Sequence, residues 1–376
     1  MKFDPKILRV GEKVKFTENG VKRFMNNEDL AAILKRIQKL PDGQIRATAS
    51  KFLSGKPMGS FYYTKVRKDD ANDVIDHEHR RELRGLRVIA AWLNHYDTKA
   101  NNTLDMYDPA GYVKHYLIDF GSTLGSQGDE PMPPEIGREG PGDPDKIFKT
   151  IGSLGIYKRA WEHEPEIRYP SIGYFTAKDF EPQKYKFILP NPAFMNATNR
   201  DGYWGAKIVM SFTDAQIRKA VEQGQYSDPA AAEYLYQIII ERRNIIGKYW
   251  FKRMPPLDKF ELKKNAEGAQ VLCFVDLAVK AGLENSQSAQ YKYAIKYRNK
   301  TLANDQNLNN ETCIPLSGWQ AKAAEISAKP TDQPDWEISL QLKRNDDNKW
   351  SKWVKVFLVT EENGNRFKLL GLLRQE

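Results

Sequence analysis

The chain has 376 residues, 40% of them hydrophobic and 28% charged, with a net charge of +9 at pH 7 and an isoelectric point near 9.2. No apolar run is long enough for a membrane-spanning helix, and no apolar signal segment follows Met1. The basic residues are interleaved with 49 acids and form no long basic run, so a solvated lysine-rich surface is expected and no nucleic-acid partner. The two cysteines, Cys273 and Cys313, have no metal-ligand spacing and cannot form a disulfide framework, which leaves buried free thiols or one bridge.

In chain order, Ile7 to Phe16 suggests strands. Asn27 caps a predicted helix from Glu28 to Leu40, with Leu30, Ile33, Leu34 and Ile37 as its apolar stripe. Pro41-Asp42-Gly43 ends it, and Arg46 to Leu53 is a predicted strand. A helix from Arg80 to Asn94 is expected from the apolar face of Leu83, Leu86, Ile89, Ala90 and Leu93. A polar loop, His95 to Asn102, follows. Thr103 to Tyr107 and Tyr112 to Ile118 are predicted strands about the turn Asp108-Pro109-Ala110-Gly111.

Gly125 to Asp145 is rich in proline and glycine and reads as a loop. Asp143-Pro144 then opens a helix through about Ser153. Glu162 to Asp201 reads as an ordered covering loop, because Tyr169, Tyr174, Phe175, Tyr185, Phe187 and Phe194 need burial. Thr213 and Gln216 form a capping box for a helix to Glu222, and Asp228-Pro229 starts a longer helix to about Tyr249. From about Glu261 the period changes to two. Gln270 to Val275, Tyr291 to Arg298, Trp336 to Leu342, Trp350 to Thr360 and Arg366 to Leu373 are predicted strands, with turns at Asn345–Asn348 and Asn363-Gly364. The fold class expected is α+β, ending in an antiparallel β domain of sandwich type.

The chemistry concentrates in His95-Tyr96-Asp97-Thr98-Lys99-Ala100-Asn101-Asn102, an H-x-D-x-K-x-x-N pattern, followed by Asp119-Phe120-Gly121. Phosphoryl transfer needs mainly positioning and charge neutralisation. Asp97 can orient or deprotonate an acceptor hydroxyl, Lys99 can balance charge on the moving phosphoryl group, and Asn102 with Asp119 can hold magnesium through hard oxygen ligands. The hairpin between Asn102 and Asp119 would bring those two ligands close.

Over roughly residues 77 to 125 these motifs resemble the catalytic loop and magnesium-binding loop of the protein-kinase-like superfamily. The variant is also similar to phosphatidylinositol kinases, aminoglycoside phosphotransferases, and bacterial toxin-type or spore-coat kinases, as in a bacterial family carrying such a domain. The resemblance implies a helical C-lobe with a reduced or truncated N-lobe. Residues 1–62 would be the remnant of the small lobe up to the hinge, 63–260 the C-lobe, and 261–376 the β domain. It implies ATP and Mg2+ as cofactors, with Lys99, Asn102 and Asp119 toward the nucleotide and metal, and a hydroxyl-bearing acceptor. The long loop after Gly121 would be the activation segment.

The sequence departs from the family pattern before His95. No G-x-G-x-x-G occurs there, and Lys2 is a poor match to the strand lysine. Two expectations follow: an N-terminally incomplete enzyme, or a catalytically inactive scaffold with a β-sandwich interaction module. Arg80, Arg84 and Arg87 share one helical stripe and are read as a structural ion network rather than a phosphate site. Trp319, Trp336, Trp350 and Trp353 are read as core of the β domain.

Overall fold

The computed structural model of the chain describes all residues except Met1, Ala49, Asp129, 140–147, Thr150, 154–155, Arg159, 164–166, 309–310, 326–333, Asp346 and 362–365. The predicted helix start at Asp143-Pro144 and the turn at Asn363-Gly364 lie outside the described residues. By packing, the chain divides into two units, residues 1–56 with 106–112, and residues 57–105 with 113–376.

In the first unit, β1 (Lys2–Phe3) pairs with β4 (Ile45–Arg46). The hairpin β2 (Lys15–Glu18) and β3 (Val21–Phe24) closes through Asn19 and Gly20, both in the left-handed region, as an Asn-Gly hairpin turn requires. Helix α1 (Asn27–Arg36) starts at a reciprocal box between Asn26 and Asp29, one residue before the expected cap, and stops at extended Ile37 rather than at Leu40. The predicted strand Arg46 to Leu53 is reduced to the β4 pair. Among the described residues between 2 and 56 only Asp29 and Ile45 are buried, while Ile7, Val21, Phe24 and Phe52 are exposed. The same stretch holds 13 Lys and Arg against 6 Asp and Glu, so most of the chain's net positive charge sits on a segment with almost no core.

The second unit begins with β5 (Lys56–Gly59), which forms a three-stranded sheet with β6 (Thr103–Asp108) and β7 (Tyr112–Leu117) in the order β5-β6-β7. Helix α2 (Arg81–Trp92) precedes the motif loop. The short strands β8 (Ser126–Gln127) and β9 (Glu130–Pro131) follow it, then α3 (Pro192–Met195), α4 (Asn199–Ser211), α5 (Asp214–Gln223) and the 25-residue α6 (Pro229–Arg253). Both predicted caps are present, with Gln216 N donating to Thr213 and Ala230 N to Asp228.

Helix α4 was not expected. Its Thr198–Asp201 box is a clear start signal, but Gly202 and Gly205 lower its propensity. Those glycines are packing devices. A Cβ on Gly205 would lie 2.6 Å from the Gly85 carbonyl oxygen, and one on Gly202 would lie 2.2 Å from Trp250. Arg84 of α2 reaches Asp201 of α4 with two hydrogen bonds of 2.7 and 3.0 Å. Arg80 pairs with Asp73, and Arg87 donates to Gln183. The arginine stripe is therefore structural, as expected.

The chain continues as β10 (Leu257–Lys264), β11 (Gln270–Asp276), α7 (Leu277–Lys280), β12 (Ala289–Tyr297), β13 (Lys300–Asn307), β14 (Cys313–Pro315), α8 (Ser317–Ala324), β15 (Trp336–Arg344), β16 (Val354–Glu361) and β17 (Arg366–Arg374). Two sheets, in the orders β10-β11-β14 and β13-β12-β15-β16-β17, enclose a core that includes Leu272, Ile295, Ile338, Leu340 and Val356. Tyr291, Tyr293 and Ile295 face inward, as their period of two predicts. Trp336 is core and Trp319 packs against it, but Trp350 and Trp353 are half-buried beside the Lys292 ammonium. Strand β13 was overlooked because its residues are mostly polar and exposed. Cys273 and Cys313 face each other on β11 and β14 and form a disulfide, which corrects the first expectation of buried free thiols, because strand pairing sets the two residues directly opposite. Among the described residues no helix is long and apolar enough to cross a membrane.

Asp258 joins these sheets to the helices. It accepts from Tyr203 and Lys207 of α4, and Arg374 of β17 lies 3.1 Å away. Burial alone would raise its pKa, but the Lys207 hydrogen bond and the Arg374 charge outweigh it and hold the carboxyl at about 2. A depressed carboxylate stabilises the fold above its unfolded pKa, and that stability is lost as pH falls through the folded value. Asp258→Asn should therefore lower stability at pH 7 by on the order of 2 kcal/mol. The gap from the parent protein should close as pH drops from about 4 to about 2. Urea unfolding at a series of pH values checks this, and a gap that does not change with pH removes the assignment.

Candidate functional site

The motif loop begins where α2 is tied off from outside. The guanidinium of Arg242 on α6 donates to the carbonyls of Ala91, Trp92 and Thr176. It thereby satisfies two carbonyls of the last helical turn, which have no partner within the helix. Burial lowers the Arg242 pKa to about 9, so it remains a cation at neutral pH. Asn94 then turns the chain in the left-handed region, and its side chain is fixed by Tyr185, whose hydroxyl donates to Asn94 Oδ1 at 2.9 Å.

Three backbone hydrogen bonds join the loop to the segment around Asp119. Leu124 N donates to Leu93 O (2.9 Å), Tyr96 N to Ser122 O (3.3 Å) and Ile118 N to Asn102 O (2.9 Å). Two stretches that are distant in sequence are thereby held side by side. His95 is buried between them, with Nδ1 3.1 Å from Thr123 Oγ1 and its ring 5.4 Å from Phe120. Burial lowers the His95 pKa despite the nearby Ser122 backbone bond and the Asp97 and Asp119 charges. The imidazole fills the space between the two segments and ties them through Thr123 and Phe120.

Asp97, Lys99 and Asn102 form one connected group. Lys99 Nζ lies 2.8 Å from Asp97 Oδ2, and Asn102 Nδ2 donates to the Asp97 carbonyl at 2.9 Å. With its amide nitrogen committed, Asn102 keeps its side-chain oxygen as an acceptor. Asp97 Oδ1 is buried and has no hydrogen-bond partner, a costly state unless a donor from a ligand completes it.

Asp119 is brought to the site by its neighbour, since Ile118 bonds Asn102 through the backbone, but its carboxylate makes no hydrogen bond to Asn102. It is exposed and accepts a long 3.4 Å bond from Gly121 N. Its φ is +58°, a left-handed conformation that costs a non-glycine residue roughly 1 kcal/mol or more. Such strain tends to concentrate at functional loops. This feature and the isolation of Asp97 Oδ1 have no sequence signal, because both depend on partners brought from elsewhere in the fold.

The hard oxygen atoms at this place are the Asn102 side-chain oxygen and the exposed Asp119 carboxylate, donors of the type small hard cations take. Lys2 lies on β1 in the first unit. A separate group, Asp76, Glu78 and His79, also clusters within metal-binding range among the described residues. There, however, Glu78 already accepts from Lys65 N at 2.6 Å, and exposed acids cluster commonly without a metal. Comparison of the chain with protein-family models, with curated proteins and with solved structures finds no match.

Proposed function

We propose that the chain is an atypical protein-kinase-like phosphotransferase that moves the γ-phosphoryl group of ATP to a hydroxyl acceptor. The observation that carries this reading is the connected group around Asp97: one carboxylate oxygen held by Lys99, the other buried without a donor, and the backbone carbonyl held by Asn102. That arrangement leaves one acceptor atom, Asp97 Oδ1, without a donor from the protein, which supports its pairing with an acceptor hydroxyl once a substrate is bound.

In the reaction, the acceptor hydroxyl donates to Asp97 Oδ1. As its oxygen bonds to the γ-phosphorus, the bond from that phosphorus to the β–γ bridging oxygen breaks. ADP leaves, and the hydroxyl proton passes to Asp97. Lys99 keeps the Asp97 carboxylate oriented through Oδ2 and sets a positive charge beside the moving phosphoryl group. Asn102 and Asp119 would hold Mg2+, which supplies charge neutralisation on the nucleotide phosphates. The neutral His95 and the three interloop backbone bonds keep these groups in register. The helical part of the second unit corresponds to the C-lobe of this reading and the strands after Leu257 to its β domain.

A scaffold reading, in which the lobe is catalytically inactive and the β domain binds a partner, is favoured by the lack of a Gly-rich loop before His95. The two readings differ in nucleotide binding and turnover. Mg-ATP at about 100 times its Kd should stabilise the chain by about 2.7 kcal/mol. Asp119→Ala should abolish the corresponding rise in Tm. An equal rise in the variant removes the metal assignment, and no rise in the parent protein removes the nucleotide.

Asp97→Asn keeps the shape of the side chain and loses its basicity. It should retain the Mg-ATP-dependent Tm rise while phosphoryl transfer falls roughly 10²- to 10⁴-fold, followed as autophosphorylation or ATP turnover with labelled nucleotide. Turnover at the parent rate would show that Asp97 is not the base. Nucleotide binding with no turnover in the parent protein would favour the scaffold.

A further inference from the structure

One cavity shares no residue with the Asp97 loop. It has a volume of about 560 Å³ and lies where the C-terminal turns of α6 meet the β15–β16 connection. Helix α6 contributes Lys248, Lys252 and Arg253. The β connection contributes Arg344, Lys349 and Lys352. Against these six cations the described residues of the cavity wall hold two acids, Glu284 and Asp347.

The charges are not neutralised locally. Lys248, Lys252, Lys349 and Lys352 are exposed and make no ion pair among the described residues, whereas Arg84, Lys207 and Arg243 each have a carboxylate partner. The negative end of the α6 dipole favours Lys252 and Arg253 in the last turn. It does not account for three further cations arriving from a different part of the chain.

Arg344 is the most informative member. Its Nη2 lies 2.6 Å from Asp276 Oδ2. Asp276 is itself fixed by the Tyr291 hydroxyl and by capping α7 through Ala278 N and Val279 N. The guanidinium is thus held in one orientation, and its Nη1 is buried without a hydrogen-bond partner. A buried donor left unmade is costly, and an anion in the cavity would satisfy it.

We propose that this cavity binds a compact ligand bearing several phosphate groups, with Arg344 Nη1 and the Lys248, Lys252, Lys349 and Lys352 ammonium groups as its donors. Compactness follows from the cations converging on one cavity from two segments rather than lining a track. A single-stranded nucleic acid would need a row of open stacking faces, whereas of the two aromatic rings in the wall Phe251 is buried and Trp350 is half-buried with the Lys292 ammonium 4.8 Å from its centroid. Phosphate follows from charge density: a ligand with several dianionic groups balances the excess of cations within so small a volume.

The chemistry is shared by free sugar or inositol polyphosphates and by phosphorylated lipid headgroups. The full chain would be titrated, without Mg2+ and at physiological salt, with inositol hexakisphosphate by calorimetry. It would also be co-sedimented with phosphatidylcholine vesicles carrying phosphatidylinositol bisphosphate. Binding to the first alone identifies a free polyphosphate, and binding to the vesicles identifies a headgroup. In either case K349E/K352E should weaken binding roughly tenfold or more, while the charge-matched K13E/K15E, on the first unit, should not. Equal losses in the two variants would reduce the effect to net charge and overturn the site. So would the absence of binding to both probes, or tighter binding of a single-stranded oligonucleotide through the same residues.

Discussion

Asp201 is the constraint on which the helical architecture depends. Its carboxylate closes the N-terminus of α4 through Thr198 and accepts from Nε and Nη2 of the Arg84 guanidinium of α2. Burial would favour the protonated form, but the Arg84 bonds prevail and the pKa is lowered. One ionised group therefore caps one helix and clamps a second against it, and the clamp acts at the point where Gly85 and Gly205 permit close contact. Removing Asp201 would leave the half-buried Arg84 guanidinium without its counter-ion, the costly side of a broken pair.

The geometry of the motif loop follows from that clamp. Helix α2 enters the loop at a fixed angle, Arg242 satisfies its last carbonyls, and the interloop bonds carry the alignment across to Asp119. Nothing in the loop is regular secondary structure beyond the single 3₁₀ turn Ala100–Asn102. Its precision comes from the rigid elements on either side, as is general for functional loops on a packed scaffold.

Elements with local signals were legible in the sequence. The Thr213–Gln216 box, the Asp228-Pro229 start and the two-residue period of Tyr291 to Tyr297 each report a property of neighbouring residues, and each element formed where expected. Helix α4 was hidden because Gly202 and Gly205 serve contacts with Trp250 and α2, which no local rule anticipates. Strand β13 was hidden because it is paired along one edge only and its side chains are polar. In the candidate site, the order and spacing of Asp97, Lys99, Asn102 and Asp119 were readable. The unpartnered oxygen of Asp97, the left-handed backbone at Asp119 and the dipole-capping role of Arg242 were not, since each is a consequence of contact between segments far apart in sequence. The basic cavity was invisible for the same reason: its cations lie in two stretches separated by most of the β domain, and neither stretch is long enough to stand out as a basic run.

The uneven distribution of charge noted for residues 2–56 bears on how the molecule behaves in solution. With those residues set aside, the remainder carries 45 Lys and Arg against 43 Asp and Glu and is close to electroneutral. Colloidal repulsion between copies, retention on a cation exchanger and the basic isoelectric point are thus all properties of the first seventh of the chain. A form lacking that segment would run near its isoelectric point at neutral pH, where net repulsion vanishes and self-association is favoured.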